Sequence, residues 1–166
     1  MEIREELDHE RQGVFAVMIA TFGGTDEAKL VESLDNDGSV ISSLVAVEYG
    51  EIVAHILFSA VQMASDDGET LFRAAALFPL CVAPTHQRMG IGSELVRQGL
   101  EICQKKDVDA VLALGQENFF ARLGFSTWKA ENLKSPFSPG FLSILSLNPS
   151  ILDDFSGKLV FPPTFG

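Results

Sequence analysis

The segment Leu80-Cys81-Val82-Ala83-Pro84-Thr85-His86-Gln87-Arg88-Met89-Gly90-Ile91-Gly92 constrains this chain more than any other part of it. It passes from an apolar, strand-like run into a short turn with a Gln-Arg-x-Gly-x-Gly core, and then into a strongly helical sequence. A glycine-containing turn that opens a helix leaves backbone N–H groups unpaired at the helix's positive end, a geometry that suits a pyrophosphate. The bland reading of Gly90 and Gly92 is relief of packing where helix meets strand, and the turn alone leaves both readings open. Two other phosphate motifs fail on spacing. The Walker pattern needs a lysine directly after its second glycine, and none follows Gly90 or Gly92. The dinucleotide fingerprint needs Gly or Ala three residues after the second glycine, where this chain has Leu95.

The 166 residues fit one domain with a substantial core, and no linker or internal repeat divides them. A formal net charge of −11 argues against a nucleic-acid partner and against an anionic membrane surface, both of which need a basic face. It is compatible with a cationic or amine-bearing substrate. Cys81 and Cys103 both sit in apolar runs, as core thiols do in a reducing compartment. Met1 precedes the charged run Glu2-Ile3-Arg4-Glu5-Glu6, and no apolar run is long enough to span a bilayer, so the expected location is cytoplasmic.

Periodicity places a short strand over Glu2–Leu7, a helix over His9–Thr21, and a second helix from Thr25 to a stop at Asp35-Asn36-Asp37-Gly38. Strands over Ser43–Glu48 and Ile52–Val61 flank the turn Tyr49-Gly50-Glu51, and a polar loop covers Ala64–Thr70. Phe72–Val82 reads as a central strand. Pro79 inside it has no N–H for a ladder, so the strand should bulge or part from a neighbour near Phe78–Leu80. A helix over Gly90–Lys105 and a buried strand over Val108–Leu114 complete a parallel crossover unit. A short helix over Glu117–Leu123, a loop over Ser135–Gly140 and strands over Phe141–Leu147 and Lys158–Phe161 follow.

The proline-marked strand, Gln87-Arg88-x-Gly90-x-Gly92, the helix and strand after it, and then Phe120-Ala121-Arg122-Leu123-Gly124-Phe125 closely resemble the GNAT superfamily of acyl-CoA-dependent N-acetyltransferases. Phe78-Pro79-Leu80-Cys81-Val82, His55-Ile56-Leu57-Phe58-Ser59 and Phe161-Pro162-Pro163-Thr164-Phe165 are similar to its YhbS-like branch. The resemblance implies an α/β (α+β) fold with one mixed, mostly antiparallel sheet, splayed at its centre and flanked by helices. Residues 1–166 would form a single domain, with a core over about 2–147 and an extension over 148–166 that closes the sheet. It also implies acetyl-CoA as cosubstrate, an amine as acceptor, no metal, and a homodimer whose mode the sequence leaves open.

For the coenzyme, the resemblance points to Leu80, Cys81 and Val82 along the pantetheine arm, and to Gln87, Arg88, Met89, Gly90, Ile91, Gly92 and Ser93 around the diphosphate. Asn118 and Phe120 would border the arm farther along. Many members of the superfamily carry a tyrosine four residues before the Gly-Phe pair, where it protonates the leaving thiolate; this chain has Phe120 there. Water or the substrate ammonium then supplies the proton, or the protein holds acyl-CoA without efficient turnover. The general base is unassigned. His55, within an apolar strand, and Glu117, after the fifth strand, are candidates, with core burial and helix capping as their plain alternatives. Cys81 lies near the expected thioester, but no His–Asp pattern surrounds it to activate the thiol, so direct transfer is expected rather than an acetyl-cysteine.

Overall fold

The structure, a computed structural model, describes residues 1–138, 140–148 and 155–165. β1 (Glu2–Glu5) leads through a single 3-10 turn into α1 (Arg11–Phe22), and α2 (Asp26–Asn36) follows. Three long strands come next: β2 (Val40–Glu48), β3 (Glu51–Ser65) and β4 (Leu71–Val82). They are followed by α3 (Ile91–Lys105), β5 (Ala110–Leu114), α4 (Glu117–Arg122), β6 (Leu133–Lys134), β7 (Leu142–Ser146) and β8 (Gly157–Val160). Part of the expected C-terminal extension, residues 149–154 and Gly166, lies outside the described residues, as does Pro139 in the expected loop.

The sheet runs β1-β2-β3-β4-β5-β7, with β8 beside β3 and β6 beside β8. Every pairing is antiparallel except β4–β5 and β6–β8, so the mixed, mostly antiparallel sheet is as expected. Strand β3 is longer than its sequence pattern suggests. Its first part pairs with β2 as far as Ser59, and β8 then takes over the same edge from Gln62 to Ser65. That distant partner turns residues read as loop into strand.

Side-chain alternation gives the sheet two faces. α3 covers one, with Ile91, Leu95, Val96 and Cys103 against Ala54, Ile56, Phe58, Ala75 and Leu77. Gly99 lets it approach closely, since a Cβ there would overlap the edge of the buried Phe58 ring. On the other face, α1 and α2 bring Val14, Val17, Met18, Ala28, Val31 and Leu34 onto Val45, Leu57 and Cys81. Farther along that face, Phe155, Phe161 and Phe165 of the tail cover Val61, Met63, Ala74, Ala76 and Leu112 together with Phe72, Phe78 and Phe137.

Proline 79 interrupts this order as the sequence predicts. Ile56 pairs with Leu80 but Phe58 pairs with Leu77, so β4 carries one residue more than β3 across the Phe78-Pro79 step. Such a bulge reverses the alternation beyond it. Leu77 and Leu80 therefore both face α3, and Cys81 turns toward α1 and α2. The β4–β5 ladder stops at Leu77–Ala113, which leaves the last five residues of β4 with an open edge.

Candidate functional site

The open edge of β4 displays a definite set of backbone groups. The Ala83 N–H bonds to Val53 O at 2.8 Å, and Cys81 pairs with His55 two residues back. In an antiparallel ladder these alternate positions spend their N–H and C=O groups on the neighbouring strand. The amides of Leu80 and Val82 are thus left to point into the gap beside β5. The backbone of Cys81 faces β3 instead, and only its side chain reaches the gap. The Val82 carbonyl accepts from the Gln87 side chain at 3.0 Å and from the Thr21 hydroxyl at 3.4 Å.

Beyond the gap, the turn from Pro84 to Gly90 is held by its own side chains. The His86 ring bonds Thr85 Oγ1 through Nδ1 at 2.8 Å and the Glu48 carboxylate through Nε2 at 2.6 Å, tying the turn to the end of β2. Arg88 and Gly90 both have left-handed backbones, with φ of 64° and 82°. The left-handed form costs a residue with a Cβ roughly 1–2 kcal/mol, which explains a glycine at position 90. Gly92 is not left-handed, and a Cβ there would meet Phe119 and Val82 at ordinary distances of 3.5 and 3.7 Å. Packing therefore does not demand glycine at 92. The first amides of α3, at Ile91, Gly92 and Ser93, have no partner four residues back within the helix and lie at its positive end.

Gap and turn together form one cleft of about 620 Å³. Of the residues expected at the coenzyme, Leu80, Cys81, Val82, Gln87, Arg88, Gly90, Ile91, Gly92 and Ser93 line it. Met89 instead points out to solvent. Asn118 is exposed outside the cleft, and its carbonyl accepts from Arg122 Nε at 3.3 Å. Phe120 is corrected as a wall residue: it is fully buried between Phe119 and Phe125, and Phe119 faces the cleft in its place. Thr21 and Phe22 at the end of α1, together with Gln116, Phe119 and Arg122, complete the lining. None of these was legible from the sequence, because each depends on how two helix ends dock.

The cleft carries a sign opposite to that of the chain. In a protein of net charge −11, no aspartate or glutamate lines it, whereas His86, Arg88 and Arg122 do. Neither arginine pairs with a carboxylate among the described residues. Two guanidinium groups without a carboxylate partner beside a helix N-terminus are a strong arrangement for phosphate oxygens. No cluster of metal-ligating side chains is present among the described residues.

The two expected base candidates do not reach this cleft. His55 is fully buried, with Nε2 on Ser43 Oγ at 2.8 Å, and Ser43 Oγ donates in turn to Glu6 at 2.7 Å. Burial, with a smaller contribution from the Arg11 charge, lowers its pKa to about 3, so the ring stays neutral. Glu117 is exposed in the first turn of α4. Burial pushes the Cys81 thiol up to about 12, over smaller opposing effects of the His55 backbone and the Thr21 hydroxyl. Such a thiol is not an activated nucleophile.

Known proteins share this fold. The acetyltransferase (GNAT) family pattern matches residues 8–125. The uncharacterized N-acetyltransferase YhbS of Escherichia coli strain K12 is 28% identical over 158 residues, which span 95% of this chain and 92% of that protein. The crystal structure of the E. coli GNAT family N-acetyltransferase YhbS in complex with CoA superposes with a TM-score of 0.88 at 26% identity, covering 99% of this chain and 91% of the other. A GNAT family acetyltransferase from Brucella melitensis in complex with acetyl-CoA matches with a TM-score of 0.79 at 25% identity, over 99% and 97% of the two chains. With its strand parted at a bulge, its glycine turn opening α3 and the family pattern running through both, this chain belongs to the acetyltransferase (GNAT) family.

Proposed function

We propose that the protein is an acyl-CoA-dependent N-acetyltransferase that moves an acetyl group from acetyl-CoA to a primary amine of a small molecule or polypeptide. The observation that carries this reading is the electropositive cleft in an acidic chain, with unpaired α3 amides at one end and the free β4 edge at the other. The diphosphate would lie on the amides of Ile91 to Ser93 with Arg88 and Arg122 beside it, and the pantetheine arm would extend β4 as a pseudo-strand.

The reaction is direct attack in a ternary complex. The neutral amine attacks the thioester carbonyl, and a Leu80 or Val82 amide stabilises the oxyanion that forms. The C–N bond forms, the C–S bond breaks, and the coenzyme leaves as a thiolate. Phe120 has no proton to give, so water or the substrate ammonium protonates the thiolate. Thiolate is a tolerable leaving group near neutral pH, and loss of one general acid typically costs about 10²–10⁴-fold in rate.

Phe120 also favours a second reading, a domain that binds acyl-CoA as a sensor without turnover. Calorimetry with acetyl-CoA and thiol release across a panel of primary amines separate the possibilities. Absence of coenzyme binding sinks both readings. Tight binding without thiol release from any amine leaves the sensor.

A further inference from the structure

The cleft is walled by elements from both faces of the sheet, and its two sides differ in character. On the α3 side lie the phosphate turn, Arg88, Arg122 and the first amides of α3. On the opposite side α1 packs over Cys81, and the Thr21 hydroxyl reaches the Val82 carbonyl at 3.4 Å, which ties the end of that helix to the parted strand. The wall on this side consists of Thr21, Phe22 and the Cys81 side chain.

None of these three groups carries a charge. The Thr21 hydroxyl donates to Val17 O at 2.7 Å, within its own helix. Burial keeps the Cys81 thiol protonated. Phe22, the last residue of α1, is 36% exposed, and Ile19, one turn earlier on the same helix face, is 42% exposed. Large apolar side chains held in water at the rim of a cleft make a surface that an apolar ligand covers. The carboxylates nearest in sequence, Asp26 and Glu27 in the first turn of α2, do not line the cleft, nor does any other among the described residues. Arg88 and Arg122 repel a cation. A second ammonium on the acceptor would therefore leave water without meeting a counter-charge, whereas a hydrocarbon body gains by covering the Phe22 ring.

We propose that the acceptor is a monoamine with an apolar alkyl or aryl-alkyl body that lies against Phe22, and that amines bearing a second ammonium are disfavoured. The assignment rests on the acetyl-transfer reading above and narrows its acceptor. A coenzyme whose diphosphate lies on the α3 amides leaves the α1 side of the cleft to the amine. Phe22 is then a specificity-determining residue, which acts on the body of the amine and takes no part in proton transfer.

Heptylamine and hexamethylenediamine test this in the wild-type protein, because they differ chiefly in a terminal methyl against a terminal ammonium. With acetyl-CoA and thiol release as the readout, kcat/KM for heptylamine should exceed that for the diamine at least about tenfold. Phe22→Ala should lower kcat/KM for heptylamine and phenethylamine about tenfold more than for the diamine, mainly through KM, while CoA affinity by calorimetry stays at the wild-type value. Phe22→Asp supplies the missing carboxylate and should reverse the preference. A diamine that matches or outpaces heptylamine in the wild type overturns the assignment and leaves acetyl transfer standing. Equal losses for all three amines in Phe22→Ala, or loss of CoA affinity along with them, do the same. Failure of every amine to release thiol from bound acetyl-CoA overturns both readings.

Discussion

At Gly99 α3 lies directly against the Phe58 ring of β3, and adding one methyl group there tests how α3 sets the site. A Cβ at position 99 would lie over 1 Å inside the 3.4–4 Å of ordinary contact with Cε2 and Cζ of Phe58. Phe58 has no exposed surface and no free direction in which to swing, so α3 must lift or the ring must leave its rotamer. Overpacking of this kind costs roughly 1–3 kcal/mol, and the better helix propensity of alanine returns about 1 kcal/mol. An overlap of more than 1 Å with a ring that cannot move puts the cost in the upper half of that range, so Gly99→Ala should destabilise the protein by about 1–2 kcal/mol, a fall in Tm of roughly 2–8 °C for a chain of this size. Lifting α3 also displaces the amides of its first turn, so CoA affinity by calorimetry should fall with stability. Phe58→Leu removes the offending ring atoms. Combined with Gly99→Ala, it should restore part of both losses, with a coupling of at least about 1 kcal/mol in urea unfolding. A Gly99→Ala protein as stable as wild type, or a double-mutant cycle additive within about 0.5 kcal/mol, would refute the close-packing argument.

Arg88→Glu reverses a guanidinium at the mouth of the cleft and should weaken CoA binding at least tenfold by calorimetry; unchanged affinity removes Arg88 from the diphosphate site. His55 has a folded pKa of about 3 against an ordinary 6.5, so between those values the unfolded chain binds a proton that the native one refuses. Stability should fall as pH drops through that window at up to about 1.4 kcal/mol per pH unit. Relative to wild type, His55→Gln should gain roughly 2 kcal/mol between pH 6 and pH 4.5 in urea titrations, and a constant gap would contradict the buried neutral ring. Cys81 and Cys103, both with thiols raised to about 12 by burial, should resist iodoacetamide at pH 7.5 until the protein unfolds; rapid alkylation of native Cys81, read by mass spectrometry, would reopen an acetyl-cysteine route.

What could be read in advance was local. The strand, turn and helix around Gln87–Gly92 announce themselves through glycine, proline and periodicity within one short segment, and Pro79 marks its bulge directly. Facing was harder. Whether Phe119 or Phe120 meets the cleft depends on a left-handed Gln116, with φ of 48°, which rotates the start of α4. Whether Cys81 offers backbone or side chain depends on one extra residue in β4. Thr21 and Phe22 end a helix more than fifty residues from the turn, and only packing across the sheet brings them near it. The two-residue β6 and the end of β3 depend on pairing with β8, and no periodicity in their own residues signals a partner so far along the chain.

The shared edge of β3 has a bearing on biosynthesis. β2 and β8 occupy one edge of the same strand in succession, yet they stand more than a hundred residues apart in the sequence. A chain emerging from the ribosome completes β2, β3 and β4 long before residues 157–160 exist, and Gln62–Ser65 must wait with an unpaired edge. The waiting strand is an invitation to pair with another nascent chain, and it is withdrawn only when translation is almost finished. Messages truncated before codon 157 should thus yield protein that keeps the coenzyme cleft but self-associates through β3.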